Sequence, residues 1–371
     1  MRSALILATG LLGAAALACA STPATLPPPP DTSVFDSGRT AYGFFPSPPL
    51  PTYASVLETF QAMGDHGDVV LIQQNIPWDE FSDGSERESQ TITDIRNQII
   101  LARQQGLEAV FVVDPLNGLN RREFFGLPAE QADATFATPE VRRAFRNFTL
   151  RVLREIQPRY LGLASEINTY ADAHPEDFAN FLSLYRETYA AVKAEAPATQ
   201  VFTTFQWEDL NNLFPGASEG RAPYSINWDQ VEAFEPELDV WVISSYPFVA
   251  FPSAGEIPDD YYVPLLDRTD KPLAVGEGGF TSRPIGPFRG TPEDQVGYLQ
   301  ALHDQIGERL TFWIYLLISD FNSDEYAQAM RDLGREEVDI DTLGMFSAVG
   351  LRQSDGTPKA ALAVWDHFRE P

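Results

Sequence analysis

Two glutamates stand at the ends of short apolar runs, where a buried strand would present each of them to solvent. Glu166 follows the run Tyr160-Leu-Gly-Leu-Ala-Ser, and Glu277 follows Lys271-Pro-Leu-Ala-Val-Gly. In a parallel barrel, a polar residue at the carboxyl end of a strand points into the mouth. Two carboxyls about 5 to 5.5 Å apart can cleave a glycosidic bond with retention, one as proton donor and the other as nucleophile. These residues therefore predict a catalytic pair.

The elements that must position this pair are eight apolar β-like runs that alternate with segments of helical period. The predicted strands are Ala41–Phe45, Val69–Gln73, Ala109–Val113, Tyr160–Ala164, Gln200–Phe205, Val240–Ser245, Leu273–Gly276 and Leu310–Leu316. The predicted helices include Thr91–Gln105, Pro139–Gln157, Pro175–Ala196 and Pro292–Gly307. This alternation predicts an α/β fold, a closed (β/α)8 TIM barrel. The two glutamates end its fourth and seventh strands, which lie nearly across the mouth from each other.

The composition limits the partners of the chain. Its 371 residues carry a formal net charge of −27. Such a charge repels phosphates and disfavours nucleic acid and polyanionic glycans, so we expect a neutral ligand. The sequence has no H-E-x-x-H motif and no cluster of cysteine and histidine, and its glycines do not form a dinucleotide fingerprint. We therefore expect no metal and no cofactor.

The amino-terminal region has the pattern of an export signal. A basic start, Met1-Arg2-Ser3, precedes the apolar stretch Ala4–Ala18, which predicts a signal peptide over residues 1–18. The string Leu-Ala-Cys that ends at Cys19 resembles the lipobox of bacterial lipoproteins, which implies a lipidated Cys19 and a membrane anchor. The alternative is ordinary cleavage after Ala18, which yields a secreted or periplasmic protein. Residues 19–38 are predicted to be a proline-rich linker and residues 39–371 the barrel domain.

Several polar and aromatic residues near the predicted strand ends are candidates for binding a sugar. Ser165 and Asn168 flank the first glutamate. The aromatic candidates for stacking on pyranose faces or bonding hydroxyls are Trp78, Trp207, Tyr246 and Trp313. The alternative for the tryptophans is ordinary core packing.

The order of these motifs resembles clan A of the retaining glycoside hydrolases. In that clan the acid/base glutamate ends strand four and the nucleophile ends strand seven, which implies these roles for Glu166 and Glu277. Tyr246, in Ser-Ser-Tyr-Pro-Phe, is similar to the tyrosine that bonds the nucleophile, and Phe312-Trp313 to the sugar-stacking region. Through Glu166-Ile-Asn and Ser-Tyr-Pro, the chain looks nearest to the arabinogalactan endo-β-1,4-galactanases. The resemblance implies hydrolysis of a neutral β-linked polysaccharide or oligosaccharide.

Two positions depart from the clan pattern. Ser165 stands where clan members have an asparagine that binds the sugar 2-hydroxyl. The arginine often found on the second strand is missing from the run Val69–Asn75. These departures motivate an alternative hypothesis, a catalytically impaired, glycan-binding surface lipoprotein built on the same barrel.

Overall fold

The computed structural model describes residues 26–28, 33–84, 88–214, 220–332 and 344–370. Its parallel strands are β1 (Ala41–Phe44), β2 (Val69–Asn75), β3 (Glu108–Asp114), β4 (Tyr160–Leu163), β5 (Gln200–Phe202 and Thr204–Gln206), β6 (Trp241–Ser245), β7 (Leu273–Gly278) and β8 (Leu310–Tyr315). Strand β5 is interrupted at Thr203. Its first segment pairs with β4 and its second with β6, so the ring of strands closes through this one strand. The predicted (β/α)8 barrel is confirmed.

Helices surround the ring of strands. The α-helices are Tyr53–His66, Trp78–Phe81, Gln90–Gln104, Pro139–Ile156, Ile167–Ala173, Pro175–Glu195, Trp207–Leu210, Trp228–Glu232, Pro264–Arg268, Pro292–Ile306, Ser323–Asp332 and Ala360–Arg369. The four long helices predicted from the sequence each match within one residue at either end, because capping residues and first-turn prolines mark where they begin. Thr291, for example, forms a capping box with Asp294. Among the described residues, no helix is both long and apolar enough to cross a bilayer.

Side chains along the strands alternate between the barrel interior and the helical layer. On β8, the ring of Phe312 lies inside the barrel, 5.2 Å from Tyr160 and 6.0 Å from Phe202 between centroids. The next residue, Trp313, points outward and packs 5.4 Å from Trp365 of the last helix. The register of each strand therefore decides which residues can reach the mouth.

Strand β7 contains a β-bulge at Gly276. Val275 and Glu277 align with consecutive residues of β6, the second of which is Ser244, so Gly276 has no partner there. Because Val275 also aligns with the outward-facing Trp313, regular alternation would turn Glu277 outward too. The bulge returns the Glu277 side chain to the barrel interior, a known use of bulges beside active sites.

The amino-terminal end of the barrel is closed by residues that the sequence analysis assigned to the linker. Ser33 Oγ and the Val34 amide donate hydrogen bonds to Glu108 at the start of β3, at 2.9 and 2.5 Å. The Phe35 ring packs edge-on against Tyr160 at the start of β4, 4.6 Å between centroids. The folded unit therefore begins before residue 39. The predicted signal peptide and Cys19 lie outside the described residues.

Candidate active site

Glu166 lies three residues after the end of β4, in an unusual backbone conformation. Its φ of 51° and ψ of 43° are left-handed, and Ala164 two residues earlier has a φ of 98°. Residues other than glycine rarely adopt positive φ, and such strain concentrates at functional sites. The Glu166 carboxylate is nearly buried and accepts hydrogen bonds from Ser244 Oγ at 2.5 Å and from Arg121 Nε at 3.0 Å.

Glu277 lies near the end of β7 and is partly exposed at the mouth. The Tyr246 hydroxyl donates a hydrogen bond to one oxygen of its carboxyl group. Desolvation raises the pKa of Glu277 to about 7, and the negative charge of Glu166 adds to this, while Arg121 and the Tyr246 hydrogen bond oppose it. Glu277 therefore holds a proton at a pH where an exposed glutamate would be ionised.

Ser244 lies next to both glutamates. Ser244 aligns with Glu277 across the β6–β7 pair, and its hydroxyl donates to Glu166. The structure thus brings the two glutamates singled out in the sequence to one mouth, at the carboxyl ends of strands four and seven. The negative charge of Glu166 is one cause of the raised pKa of Glu277, so the two carboxyls interact electrostatically.

Two further charged residues at this site were missed in the sequence analysis. Asp114 ends β3, and Arg121 lies in a hairpin (Leu116–Asn117 and Asn120–Phe124) that follows it. Arg121 Nη1 donates to Asp114 Oδ2 at 2.5 Å, and Gln73 Nε2 donates to the same oxygen at 2.8 Å. Asp114 follows an apolar run just as the glutamates do, so a signal for it was present. Arg121 carries no such signal.

A further buried carboxylate, that of Glu208, holds the backbone at Tyr246. Glu208, which follows β5, is fully buried and accepts hydrogen bonds from Gln206 Nε2 at 2.6 Å and Ser245 Oγ at 2.7 Å. It also accepts from the Tyr246 amide at 2.9 Å and the Tyr261 hydroxyl at 3.2 Å. Burial raises the pKa of Glu208, while these donors favour its charged form. Glu208 therefore fixes the backbone that carries the hydrogen-bond donor of Glu277.

The three tryptophans proposed as sugar platforms are buried, so that expectation is wrong for each of them. Trp313 faces the helical layer because Phe312 occupies the inward position. Trp207 is fully buried and packs against Trp228, 6.0 Å between ring centroids. Trp78 is 3% exposed, and its Nε1 donates to the Phe125 carbonyl at 2.7 Å. All three rings serve the packing of the barrel and its loops.

Ser165 and Asn168 are also buried, and both bond to neighbouring residues of the protein. Ser165 is buried and its hydroxyl bonds that of Thr204 at 3.0 Å. Asn168 is fully buried, and it bonds both the amide and the carbonyl of Gln206 at 2.8 and 3.1 Å. Their proposed role in substrate binding is therefore corrected: both residues join the ends of β4 and β5. Tyr246 remains half-buried at the mouth.

The donor set at the mouth is carboxylate and hydroxyl, with one guanidinium. In the portion of the chain that the structure describes, no group of three or more histidine, cysteine, aspartate or glutamate side chains is arranged to hold a metal ion.

Comparison with known proteins shows that the chain resembles solved structures in its fold. No protein-family model and no curated protein sequence matches the chain. A GH5_18 protein from Streptomyces cattleya, solved in complex with GlcNAc, superposes with a TM-score of 0.63 at 16% identity over 89% of this chain and 80% of that one. The exo-β-1,4-mannosidase Op5Man5 from Opitutaceae bacterium strain TAV5 gives 0.62 at 14% identity over 89% of this chain. The chain spans 59% of that mannosidase.

A family 39 glycoside hydrolase from Bacteroides cellulosilyticus WH2 gives a TM-score of 0.54 at 16% identity, over 90% of this chain and 64% of that one. At such identities the likeness establishes the barrel fold alone. These structures belong to glycoside hydrolase families other than the galactanases, so the narrower resemblance to galactanases gains no support from them.

Proposed function

We propose that this protein is a retaining glycoside hydrolase of the clan A type that acts on a neutral β-linked glycan. The observation that carries this proposal is the meeting of Glu166 and Glu277 around Ser244 at the carboxyl ends of strands four and seven. The likeness of the barrel to those of solved glycoside hydrolases supports it. The net charge of −27 favours a neutral glycan.

In this mechanism Glu166 is the acid/base and Glu277 the nucleophile. Glu166 gives a proton to the glycosidic oxygen as the Glu277 carboxylate attacks the anomeric carbon and forms a glycosyl-enzyme. Water then attacks the same carbon and loses its proton to Glu166, which releases the sugar and restores Glu277. The Tyr246 hydroxyl holds the nucleophile oxygen for attack, since it donates to Glu277. The cycle needs one proton, which Glu166 carries, and an ionised Glu277.

The first test is hydrolysis by the full chain across galactan, mannan, xylan and β-glucans. Reducing-sugar release from at least one glycan should fall about 10²- to 10⁴-fold or more in both Glu166→Ala and Glu277→Ala. Glu176→Ala, which changes an exposed glutamate of a neighbouring helix, is the matched control. Activity retained in either active-site variant would exclude that residue from the mechanism.

Azide rescue with an activated aryl β-glycoside separates the two roles. In a nucleophile variant, azide takes the vacated position and gives an α-glycosyl azide. In an acid/base variant, azide intercepts the glycosyl-enzyme and gives a β-glycosyl azide. We expect the α product from Glu277→Ala and the β product from Glu166→Ala. The opposite pattern would reverse the assignment.

A second candidate function is glycan binding without turnover. It is favoured by one observation: Glu166 accepts hydrogen bonds on both oxygens, from Ser244 and from Arg121, as a carboxylate rather than a proton donor does. Isothermal calorimetry against the same glycans distinguishes the two. Saturable binding that releases no reducing sugar in the wild type would establish the binding protein and reject the hydrolase.

We also propose that the protein is exported and anchored to a membrane through lipidated Cys19. Expression of the full sequence in a bacterial host with labelled palmitate should label the wild type and place it in the membrane fraction. Cys19→Ser should lose the label and move to the soluble fraction. Membrane association that is unchanged in Cys19→Ser would reject the anchor.

A further inference from the structure

The carboxylate of Glu208 accepts four hydrogen bonds, two on each oxygen. Oε1 accepts from the hydroxyls of Ser245 and Tyr261. Oε2 accepts from the side-chain amide of Gln206 and from the backbone N–H of Tyr246. All four donors are uncharged. A carboxylate has about four acceptor positions, whereas a protonated carboxyl donates at one of them, so this set of donors fits the ionised form.

A carboxylate held in the interior by uncharged donors lowers stability relative to an apolar side chain of the same size. Glu208 lies just after β5, at the end of the barrel that carries the catalytic pair, where such a cost is kept for function. The side chain is fully buried, so it offers no surface for a substrate to contact. Any effect of Glu208 on the site therefore passes through the residues that it bonds.

Those residues lie at both ends of the loop that follows β6. Tyr246 is the first residue of this loop, and its N–H bonds Glu208 at 2.9 Å. Near the other end, the Tyr261 hydroxyl bonds Glu208 at 3.2 Å. The hydroxyls of Tyr262 and Ser245 bond each other at 2.8 Å, and Ser245 also donates to Glu208. One carboxylate thus holds the start and the end of the loop.

The start of this loop carries the group that bonds the nucleophile. Strand β6 ends at Ser245, so the next N–H, that of Tyr246, bonds Glu208 in place of a neighbouring strand. The hydroxyl of the same tyrosine donates to Glu277 and lowers its pKa. Displacement of this hydroxyl would therefore raise the pKa of Glu277. The other groups that act on this pKa come from other elements, namely Glu166, Arg121 and Asp114.

We propose that Glu208 is a positioning residue that holds residues 246–262 in place and so directs the Tyr246 hydroxyl to Glu277. This inference rests on the proposed function, in which Glu277 attacks as the carboxylate. What Glu208 supplies is an acceptor for a backbone N–H that cannot turn to another partner. Loss of that acceptor leaves a buried N–H without a hydrogen bond, which displaces Tyr246.

The test is a carbon-13 NMR titration of the full chain labelled at the glutamate carboxyl carbon, with the Glu277 signal assigned by its loss in Glu277→Gln. Glu208→Met removes every acceptor and should raise the Glu277 midpoint by about one pH unit. Glu208→Gln keeps an acceptor for the Tyr246 N–H and should raise the midpoint less. Loss of the negative charge by itself would lower the midpoint in both variants. The direction of the shift therefore separates positioning from a direct effect of charge.

A double variant tests the route through Tyr246. Tyr246→Phe removes the hydroxyl and should give the largest rise in the Glu277 midpoint. Adding Glu208→Met to Tyr246→Phe should give no further rise, because Glu208 acts through that hydroxyl. Glu155→Gln, at a half-buried glutamate of the outer helical layer, is the control and should leave the midpoint unchanged. An unchanged or lowered midpoint in Glu208→Met would overturn the inference, and so would a further rise in the double variant.

If Glu208→Met does not fold, Tyr261→Phe decides, because it removes only one of the four bonds. It should raise the midpoint by a smaller amount. Its control is Tyr185→Phe, at a buried tyrosine whose hydroxyl bonds the Glu237 carbonyl ahead of β6. Equal midpoints in these two variants would overturn the inference.

The same variants give a second readout in catalysis. On a glycan that the wild type hydrolyses, the acidic limb of kcat/KM should move to higher pH together with the Glu277 midpoint, since the nucleophile reacts when ionised. A limb that stays in place while the midpoint moves would also overturn the inference. NMR requires no turnover, so a protein that hydrolyses no glycan would contradict the proposed function, while the midpoints would still decide the role of Glu208.

Discussion

The two ends of the barrel are built from the same strands but differ in chemistry. The carboxyl ends gather charged groups, among them Arg121, Asp114, Glu166, Glu208 and Glu277. The amino ends are closed by aromatic packing among Phe35, Tyr160 and Phe312, with Glu108 bonded to the preceding segment. Buried charge costs stability and is kept where chemistry requires it, whereas apolar packing stabilises the fold. The mouth should therefore govern activity, and the closed end stability.

If the mouth governs activity and the closed end governs stability, the largest effect on activity should come from a substitution at the mouth. Glu277→Gln should reduce kcat/KM about 10³-fold or more, because an amide cannot act as the nucleophile. Its free energy of unfolding should be unchanged or higher, since a carboxyl beside another carboxylate is removed. Steady-state kinetics and urea unfolding measure the two quantities, with the exposed Glu256→Gln as control. A marked loss of stability would show that the carboxylate also supports the fold.

The converse test is at the closed end. Phe35→Ala should lower the free energy of unfolding by about 1–3 kcal/mol, since the half-buried ring packs on Tyr160 and lies 5.8 Å from the Arg159 guanidinium carbon. Below the unfolding transition, kcat/KM should match the wild type. Phe214→Ala, at an exposed position, is the control. A parallel loss of activity would mean that the two ends are coupled.

The pH dependence of stability sharpens the comparison. The folded-state pKa of Glu277 is about 7, above the value of an unfolded glutamate, so the folded protein holds more protons between these values. Its stabilising contribution is complete below the unfolded pKa and is lost as the pH rises through about 7. Between about pH 5 and about pH 8, the Tm of the wild type should therefore fall more than that of Glu277→Gln. Parallel changes in the two proteins would contradict the raised pKa.

The smallest expected effect belongs to the polar contact at the closed end. Glu108→Gln should lower the free energy of unfolding by about 1 kcal/mol, because it weakens charge-assisted bonds from Ser33 and Val34. Thermal unfolding measures the change, and kcat/KM should be unaltered. An effect as large as that of Phe35→Ala would show that the bonds, and not the aromatic contact, hold the amino-terminal segment.

Local signals in the sequence predict most of the helices and strands of this molecule. They fail where the position of a side chain depends on how neighbouring strands are aligned. Capping residues and prolines mark the helices well, and apolar runs mark the strands. Because side chains alternate along β8, Trp313 faces the helical layer outside the barrel. The presence of an aromatic residue near a strand end does not indicate which side of the strand it occupies. Glu277 reaches the mouth only through the bulge at Gly276, and a bulge is a property of two strands together. Arg121 reaches the site from a hairpin, by a contact that exists only in the tertiary fold.

The contacts of Ser33 and Phe35 place the described segment ahead of β1 on the closed end of the barrel. Pro27 lies at the same end, because its carbonyl accepts a hydrogen bond from Arg103, near the end of the helix Gln90–Gln104. An anchor attached there would hold the molecule by its base, with the cleft directed away from the supporting surface. A long polymer could then approach the cleft without competing with the anchor for space.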